Sequence, residues 1–221
     1  VELSLGDGNF EFVGLSRVTQ VRIPSDLHLL WRMPVGEAWS AFAVSGRFAV
    51  TQEQQDEYET VVCYDLLTGK EQWRHKDNAR FTHPMGGIGP RATPTLSGNR
   101  VYTLGATGIL NCLELATGRV RWTKNLVTEF GARVPIWGFS SHPLCYKDLV
   151  VVVAGVEANA SLVALDQDTG RLVWKTLSDP AGYASPNRML ESLAFSPEHG
   201  VLSAAERPRP GDPFATVTLF G

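Results

Sequence analysis

Residues able to do chemistry are sparse in this 221-residue chain, and none falls into a recognised catalytic spacing. The five histidines (His28, His75, His83, His142, His199) lack the HExxH spacing that places two imidazoles around zinc. Packing or surface roles are favoured for them over metal or acid–base duty. Cys63, Cys112 and Cys145 match neither a zinc site nor a CxxC pair, and an odd number of thiols cannot all pair within one chain. Asp166-Gln-Asp-Thr-Gly170 begins like a calcium loop, but Leu177 stands where an EF-hand needs its bidentate Glu. Gly86-Gly-Ile-Gly89 is glycine-rich like a phosphate cradle, yet Pro90-Arg91 follows it instead of Lys-Ser/Thr. A flexible connecting loop is the simpler reading. No Gly-x-Ser-x-Gly elbow occurs. The acidic stretch Thr51 to Glu59 reads as a solvated hairpin tip.

A repeat accounts for most of these residues. Val62-Cys-Tyr-Asp-Leu-Leu-Thr-Gly-Lys-Glu-Gln-Trp73, Asn111-Cys-Leu-Glu-Leu-Ala-Thr-Gly-Arg-Val-Arg-Trp122 and Val163-Ala-Leu-Asp-Gln-Asp-Thr-Gly-Arg-Leu-Val-Trp174 align without gaps. In each copy an acid (Asp65, Glu114, Asp166) stands four residues before a Gly (Gly69, Gly118, Gly170), which stands four before a Trp (Trp73, Trp122, Trp174). The glycines are 49 and 52 residues apart, close to the period of four-stranded propeller blades. A strand leads up to the acid, Thr-Gly supplies a positive-φ turn, and the next strand carries the Trp toward a neighbouring blade. The carboxylate can accept backbone N–H groups of its own turn. Two residues before the acid the side chain is always small (Cys63, Cys112, Ala164), as a crowded spot between stacked sheets requires. Both cysteines there read as packed thiols rather than reactive ones.

The elements that must position these residues are short strands between turns. The fold class is all-β, a partial β-propeller of four-stranded antiparallel blades at 39–75, 91–124 and 137–176, with incomplete blades on either side. Residues 1–28 read as an irregular N-terminal segment, 29–186 as the propeller repeats, and 187–221 as an irregular tail or a truncated blade. Propellers close with about four to eight blades. Three good ones therefore imply a fragment, an excised domain or a chain with an irregular tail, and remaining blades in a longer parent are open.

In an up-and-down blade the turns alternate between two ends. The Ser-Gly and Thr-Gly turns share one end, while long insertions at 52–58, 76–90, 124–136 and 154–160 share the other. Long loops on a rigid scaffold are where binding usually resides. The inner strands start at that end with Trp39, Arg91, Ser140 and Tyr183, and Trp137 belongs to the same rim. This mixture suits a planar ligand or a peptide, and it suits plain inner-strand packing equally.

Composition removes other classes. Twenty Lys and Arg against 23 Asp and Glu are interspersed, with no basic stripe for nucleic acid. The longest apolar run, Leu149 to Ala154, is far short of the roughly 18 residues a membrane-spanning helix needs. The chain starts at Val1 with no charged-then-apolar leader, so a secretion signal is either already removed or lies outside this sequence.

The Asp-x-x-Thr-Gly-x-x-x-Trp unit resembles the repeat of the pyrroloquinoline-quinone (PQQ) type β-propellers from about Leu30 to Pro186. Thr51-Gln-Glu-Gln54, Gly89-Pro-Arg-Ala-Thr-Pro94 and Trp137-Gly-Phe-Ser140 carry a closer likeness to bacterial PQQ-binding-like repeat proteins related to the outer-membrane β-barrel assembly lipoprotein. The resemblance implies an exported protein of the periplasm or cell envelope. Quinone-dependent alcohol dehydrogenases of this superfamily carry a vicinal Cys-Cys disulfide, a calcium-binding Glu/Asn/Asp set and an axial catalytic Asp. No Cys-Cys pair occurs in this sequence. The expectation is therefore a non-enzymatic scaffold that binds protein or peptide, by strand addition or at its loops, with no cofactor, catalytic residue or metal site. The alternatives are a PQQ- and calcium-dependent oxidoreductase stacking its quinone on Trp137 or Trp39, and a sugar- or polyol-binding propeller.

Overall fold

Each copy of the repeat folds into one four-stranded antiparallel sheet in the computed structural model. The structure describes residues 34–155 and 162–176, together with the strands at 9–10, 21–22, 190–196, 201–206 and 216–220. The chain divides into two compact units, 1–33 and 34–221. In the first, β1 (Asn9–Phe10) pairs antiparallel with β2 (Val21–Arg22).

The second unit is a partial β-propeller. Its first blade comprises β3 (Ala43–Ser45), β4 (Phe48–Gln55), β5 (Tyr58–Asp65) and β6 (Glu71–Asn78), hydrogen-bonded in that order. A small hairpin follows, β7 (Thr82–His83) with β8 (Gly87–Ile88). The second blade is β9 (Thr95–Ser97), β10 (Arg100–Leu104), β11 (Ile109–Glu114) and β12 (Val120–Asn125), followed by the short helix α1 (Leu126–Phe130). The third is β13 (Leu144–Tyr146), β14 (Leu149–Val153), β15 (Leu162–Asp166) and β16 (Leu172–Thr176). Beyond Pro186, where the repeat motif stops, β17 (Leu190–Ser196), β18 (Val201–Glu206) and β19 (Thr216–Phe220) form a three-stranded antiparallel sheet.

The motif builds one backbone turn three times, the glycine N–H of Gly69, Gly118 and Gly170 donating to the acid's carbonyl at 2.8–2.9 Å, and Glu114 adds only the Thr117 hydroxyl on its carboxylate, whereas the two aspartates also take backbone N–H groups. Asp65 Oδ1 accepts the N–H groups of Leu67 and Thr68 and the Thr68 hydroxyl at 2.9–3.2 Å, and Asp166 Oδ1 repeats this with Asp168 and Thr169. The hydrogen bond from Arg47, together with those of Thr68, holds the Asp65 carboxyl down at about 2. The first turn of each blade, Ser-Gly in blades one and two and Lys147-Asp148 in the third, is tied side by side with the Thr-Gly turn: Leu66 donates to Arg47 O, Leu115 to Asn99 O and Gln167 to Asp148 O, each at 2.8 Å.

The Trp residues lock blade to blade. Trp73 Nε1 donates to Leu115 O of the second blade at 2.8 Å, and Trp122 Nε1 to Gln167 O of the third at 3.0 Å. Trp73 joins the apolar core between blades one and two, and Trp122 the larger core between blades two and three. Trp174 is half-buried at the far side of the third blade. The small residues explain themselves in register: Cys63 faces Trp73, Cys112 faces Trp122 and Ala164 faces Trp174 across the ladder. Burial pushes the Cys63 thiol up to about 11, which keeps it protonated and inert at neutral pH. A β-bulge follows each of these pairs and leaves Gln72, Arg121 and Val173 unmatched.

Three sequence expectations change. The inner strands join the ladder later than expected, at Ala43, Thr95 and Leu144. In the second and third blades Pro94 and Pro143 precede that point, and proline brings no N–H to a ladder. The stretch Thr51 to Glu59 is not a solvated tip. Gln52, Glu53, Gln54 and Glu59 are buried in the long β4–β5 hairpin, and only the turn around Asp56 and Glu57 is exposed. The insertion at 124–136 contains α1, capped by the Asn125 side chain on the N–H groups of Val127 and Thr128.

Candidate functional site

The buried polar residues of the first hairpin position the loop end of the propeller. Gln52 Nε2 donates to Ala92 O at 2.6 Å, and Gln54 Nε2 donates to Asp56 O and Ala79 O at 3.1 Å. Glu59, almost wholly buried, accepts Ala106 N at 2.9 Å and the Thr107 hydroxyl at 3.0 Å, reaching from the first blade to the second. Desolvation raises its carboxyl above the ordinary range against the pull of those bonds. The chain from Ala79 to Ala92 is thus held at both ends.

Arg91 shapes the middle of this segment. Nε donates to Trp137 O at 2.8 Å, Nη1 to Ile88 O and Gly89 O at 3.3 and 2.6 Å, and Nη2 to Gly86 O and Gly87 O at 2.8 and 3.1 Å. A guanidinium has five N–H groups, and five backbone carbonyls accept from this one. Its underside lies over the buried Phe81 ring, 4.6 Å from the centroid. Gly86-Gly-Ile-Gly89, expected to be a flexible loop, supplies the second strand of the β7–β8 hairpin, and its carbonyls wrap this cation.

The wrapped hairpin holds two tryptophans apart. Trp39 Nε1 donates to Gly86 O at 2.8 Å, and its backbone N–H to Pro90 O at 2.9 Å. The Trp137 ring lies so close to Gly86 that a Cβ there would come within 2.7 Å of it, so a larger residue would displace the indole. His83 packs against the same indole, 4.4 Å between centroids and tilted by 54°, while its Nδ1 accepts the N–H groups of Met85 and Gly86. The result is a groove of about 480 Å³ lined by Trp39, Met85, Gly86, Arg91, Trp137 and Ser140. Trp39 is 67% and Met85 78% exposed, with Ile136 exposed nearby in sequence.

Four of the five rim residues read from the sequence thus meet in one groove. The fifth, Tyr183, lies outside the described residues. Arg91 differs from its expected part as a rim cation, because its donors face the protein rather than the groove. Met85 and Gly86 were missed; Met85 precedes the glycine run, and that run beside an arginine was the available signal. Of the histidines, His75 contacts Asp77 at 3.1 Å, His83 supports Trp137, His142 is exposed, and His28 and His199 lie outside the described residues.

The arrangement offers flat apolar faces and a thioether, with no acid–base pair among the described lining residues. PQQ carries three carboxylates and works with a bound divalent metal, so its site needs free cationic donors and metal-binding oxygens. The Arg91 donors are spent on carbonyls, and the described lining holds no carboxylate. Among the described residues no group of three or more His, Cys, Asp or Glu side chains could hold a metal ion. The described lining of this groove does not fit the quinone.

A family model described as outer membrane protein assembly factor BamB matches residues 57–206, more than half of the chain. The chain belongs to this BamB family of PQQ-like repeat propellers. Among solved structures, BamB from Moraxella catarrhalis aligns over 73% of this chain and 40% of its own, at 18% identity and a TM-score of 0.45. Quinohemoprotein alcohol dehydrogenase from Comamonas testosteroni aligns over 78% of this chain and 29% of its own, at 16% identity and TM-score 0.58. The computationally designed Ika4 protein aligns over 86% of this chain and 98% of its own, at 15% identity and TM-score 0.51. At these identities the likeness to the dehydrogenase and to Ika4 is one of fold. The BamB-family chain spans well under half the length of the two natural proteins. No curated protein matches it in sequence.

Proposed function

We propose that this chain is a non-catalytic propeller scaffold of the bacterial cell envelope that holds an extended segment of a protein partner in the Trp39–Met85–Trp137 groove. One observation carries the reading: the groove presents exposed indole and thioether surface, while Arg91 and the Trp39 N–H beside it are already satisfied by backbone. Such a surface gains from burying apolar side chains and has little with which to orient a polar substrate. The family description, an assembly factor for outer membrane proteins, supports a protein partner and an envelope location. On this reading the scaffold works without a cofactor.

The test is titration of the chain with an extended peptide of alternating aromatic and polar residues, followed by tryptophan fluorescence. PQQ with calcium and a neutral hexose are titrated in parallel. Saturable peptide binding is expected, with Trp39→Ala raising Kd about 30-fold or more, as for an interface residue carrying much of the binding energy. Saturable quinone binding with dye reduction would instead establish the oxidoreductase. Hexose binding lost in Trp39→Ala would establish the sugar-binding propeller.

A further inference from the structure

On the opposite end from the groove, the second and third blades meet in a polar cleft of about 330 Å³ lined by Arg119, Val120, Arg121 and Asp168. Arg100 reaches the same place through its ion pair with Asp168. The repeat itself shows which of these residues the fold requires. Arg100 opens the second strand of its blade opposite Glu114, a position held by Phe48 and Leu149 in the other blades. Arg121 is the bulge residue, where the siblings carry Gln72 and Val173. Asp168 follows the acid of the motif by two, where the siblings carry Leu67 and Ala116. Neutral residues suffice for the blade at all three positions. Charged ones occur together only where the second blade meets the third.

Their hydrogen bonding is incomplete. The Arg100 guanidinium meets Asp168 and the Tyr102 hydroxyl, yet its buried Nε has no hydrogen-bond partner, and Arg121 is exposed without an ion pair among the described residues. Arg119 contacts Glu114 at 3.3 Å and remains largely exposed.

We propose that Arg100, Arg119 and Arg121 form an anion site that takes a carboxylate of an acidic polypeptide segment. A carboxylate matches the guanidinium fork and carries one charge. A phosphate would carry nearly two, and would meet more repulsion from Asp168 on the cleft wall and from Glu114, the ion-pair partner of Arg119. This site is independent of the tryptophan groove.

The full chain is titrated at low salt with an acetylated, amidated hexaglutamate peptide, alongside inorganic phosphate and phosphatidylglycerol vesicles. Each substitution installs a sibling blade's residue. Arg121→Gln and Arg100→Leu are expected to weaken peptide binding about tenfold each, and Asp168→Ala to strengthen it by removing a competing carboxylate. Arg100→Leu should leave Tm unchanged or higher, and Trp39→Ala should leave this binding unchanged. Absence of saturable peptide binding, or binding indifferent to Arg121→Gln, would overturn the site. So would tighter binding of phosphate or vesicles than of peptide. A large fall in Tm for Arg100→Leu would show the arginine to be structural and likewise overturn it.

Discussion

Inserting one methyl group at Gly170, in wild-type and Trp122→Ala backgrounds, isolates the contact that locks the second blade to the third. Gly170 sits at φ +67°, and a Cβ built there would lie 2.7, 2.9 and 3.0 Å from Cδ2, Cε3 and Cγ of Trp122. Carbon atoms in ordinary contact sit about 3.5–4.0 Å apart, so the indole must move. The left-handed conformation costs an alanine about 1–2 kcal/mol. Overpacking a close-packed site adds about 1–3 kcal/mol. Gly170→Ala should therefore cost about 2–5 kcal/mol in the wild type. Trp122→Ala alone should cost about 3–5 kcal/mol, as a buried large-to-small change. Its loss does not orphan the Gln167 carbonyl, which also accepts the Tyr102 hydroxyl at 3.2 Å. Once the ring is gone, Gly170→Ala retains only the backbone cost of about 1–2 kcal/mol. The double-mutant cycle should show a coupling of about 1–3 kcal/mol. Gly98→Ala is the control, because Gly98 has φ +58° and a Cβ placed on it would meet nothing within 4 Å. Equilibrium urea unfolding followed by circular dichroism measures all five proteins. Additivity within about 0.5 kcal/mol, or equal costs at Gly170 and Gly98, would refute the docking of ring on turn.

Arg91→Lys cannot reproduce bonds to five carbonyls from a planar fork, and it should cost about 2–4 kcal/mol, given about 1.5–3 kcal/mol per hydrogen bond to a charged group. Hydrogen exchange should accelerate between Phe81 and Arg91 and stay unchanged at the Thr-Gly turns. Two carboxylates should act in opposite directions with pH. The Asp65 carboxyl is depressed to about 2, so its stabilisation is present above about pH 4, its unfolded value, and is lost as pH falls toward 2. Asp65→Asn should flatten that acid limb in a Tm-against-pH series. Glu59 is raised by burial, so the folded state holds its proton more tightly and stability declines as pH rises from about 4.3 through the folded value. Glu59→Gln should therefore gain on the wild type across that rise, and an unchanged difference would contradict the assignment.

Legibility in the sequence follows how locally a residue's task is defined. The acid and glycine offsets are readable because each performs a mechanical task within a few residues of its own turn, and the tryptophan offset is readable because the same reach to the next blade recurs at both described blade junctions. The bulges at Gln72, Arg121 and Val173 left no residue-type signal, since a bulge residue points away from the core and accepts Gln, Arg or Val alike. Thr51 to Glu59 misled for a related reason. Alternation of polar with polar reads as solvated, yet these side chains are buried because their partners are carbonyls and N–H groups from remote loops, such as Ala92 O for Gln52 and Ala106 N for Glu59. No pattern in one strand shows a partner some 40 residues away in another blade. The rim was half readable by the same logic: blade symmetry brings Trp39, Arg91, Trp137 and Ser140 to one end, but whether Arg91 faces a ligand or its own loop depends on where five carbonyls point. The repeat also supplies a test that single-domain sequences lack. A residue shared by sibling blades is explained by the blade, whereas a charge that the siblings do without needs an explanation of its own: Arg100 and Asp168 answer each other in an ion pair between the second and third blades, and Arg121 beside them is the charge that a ligand carboxylate would answer.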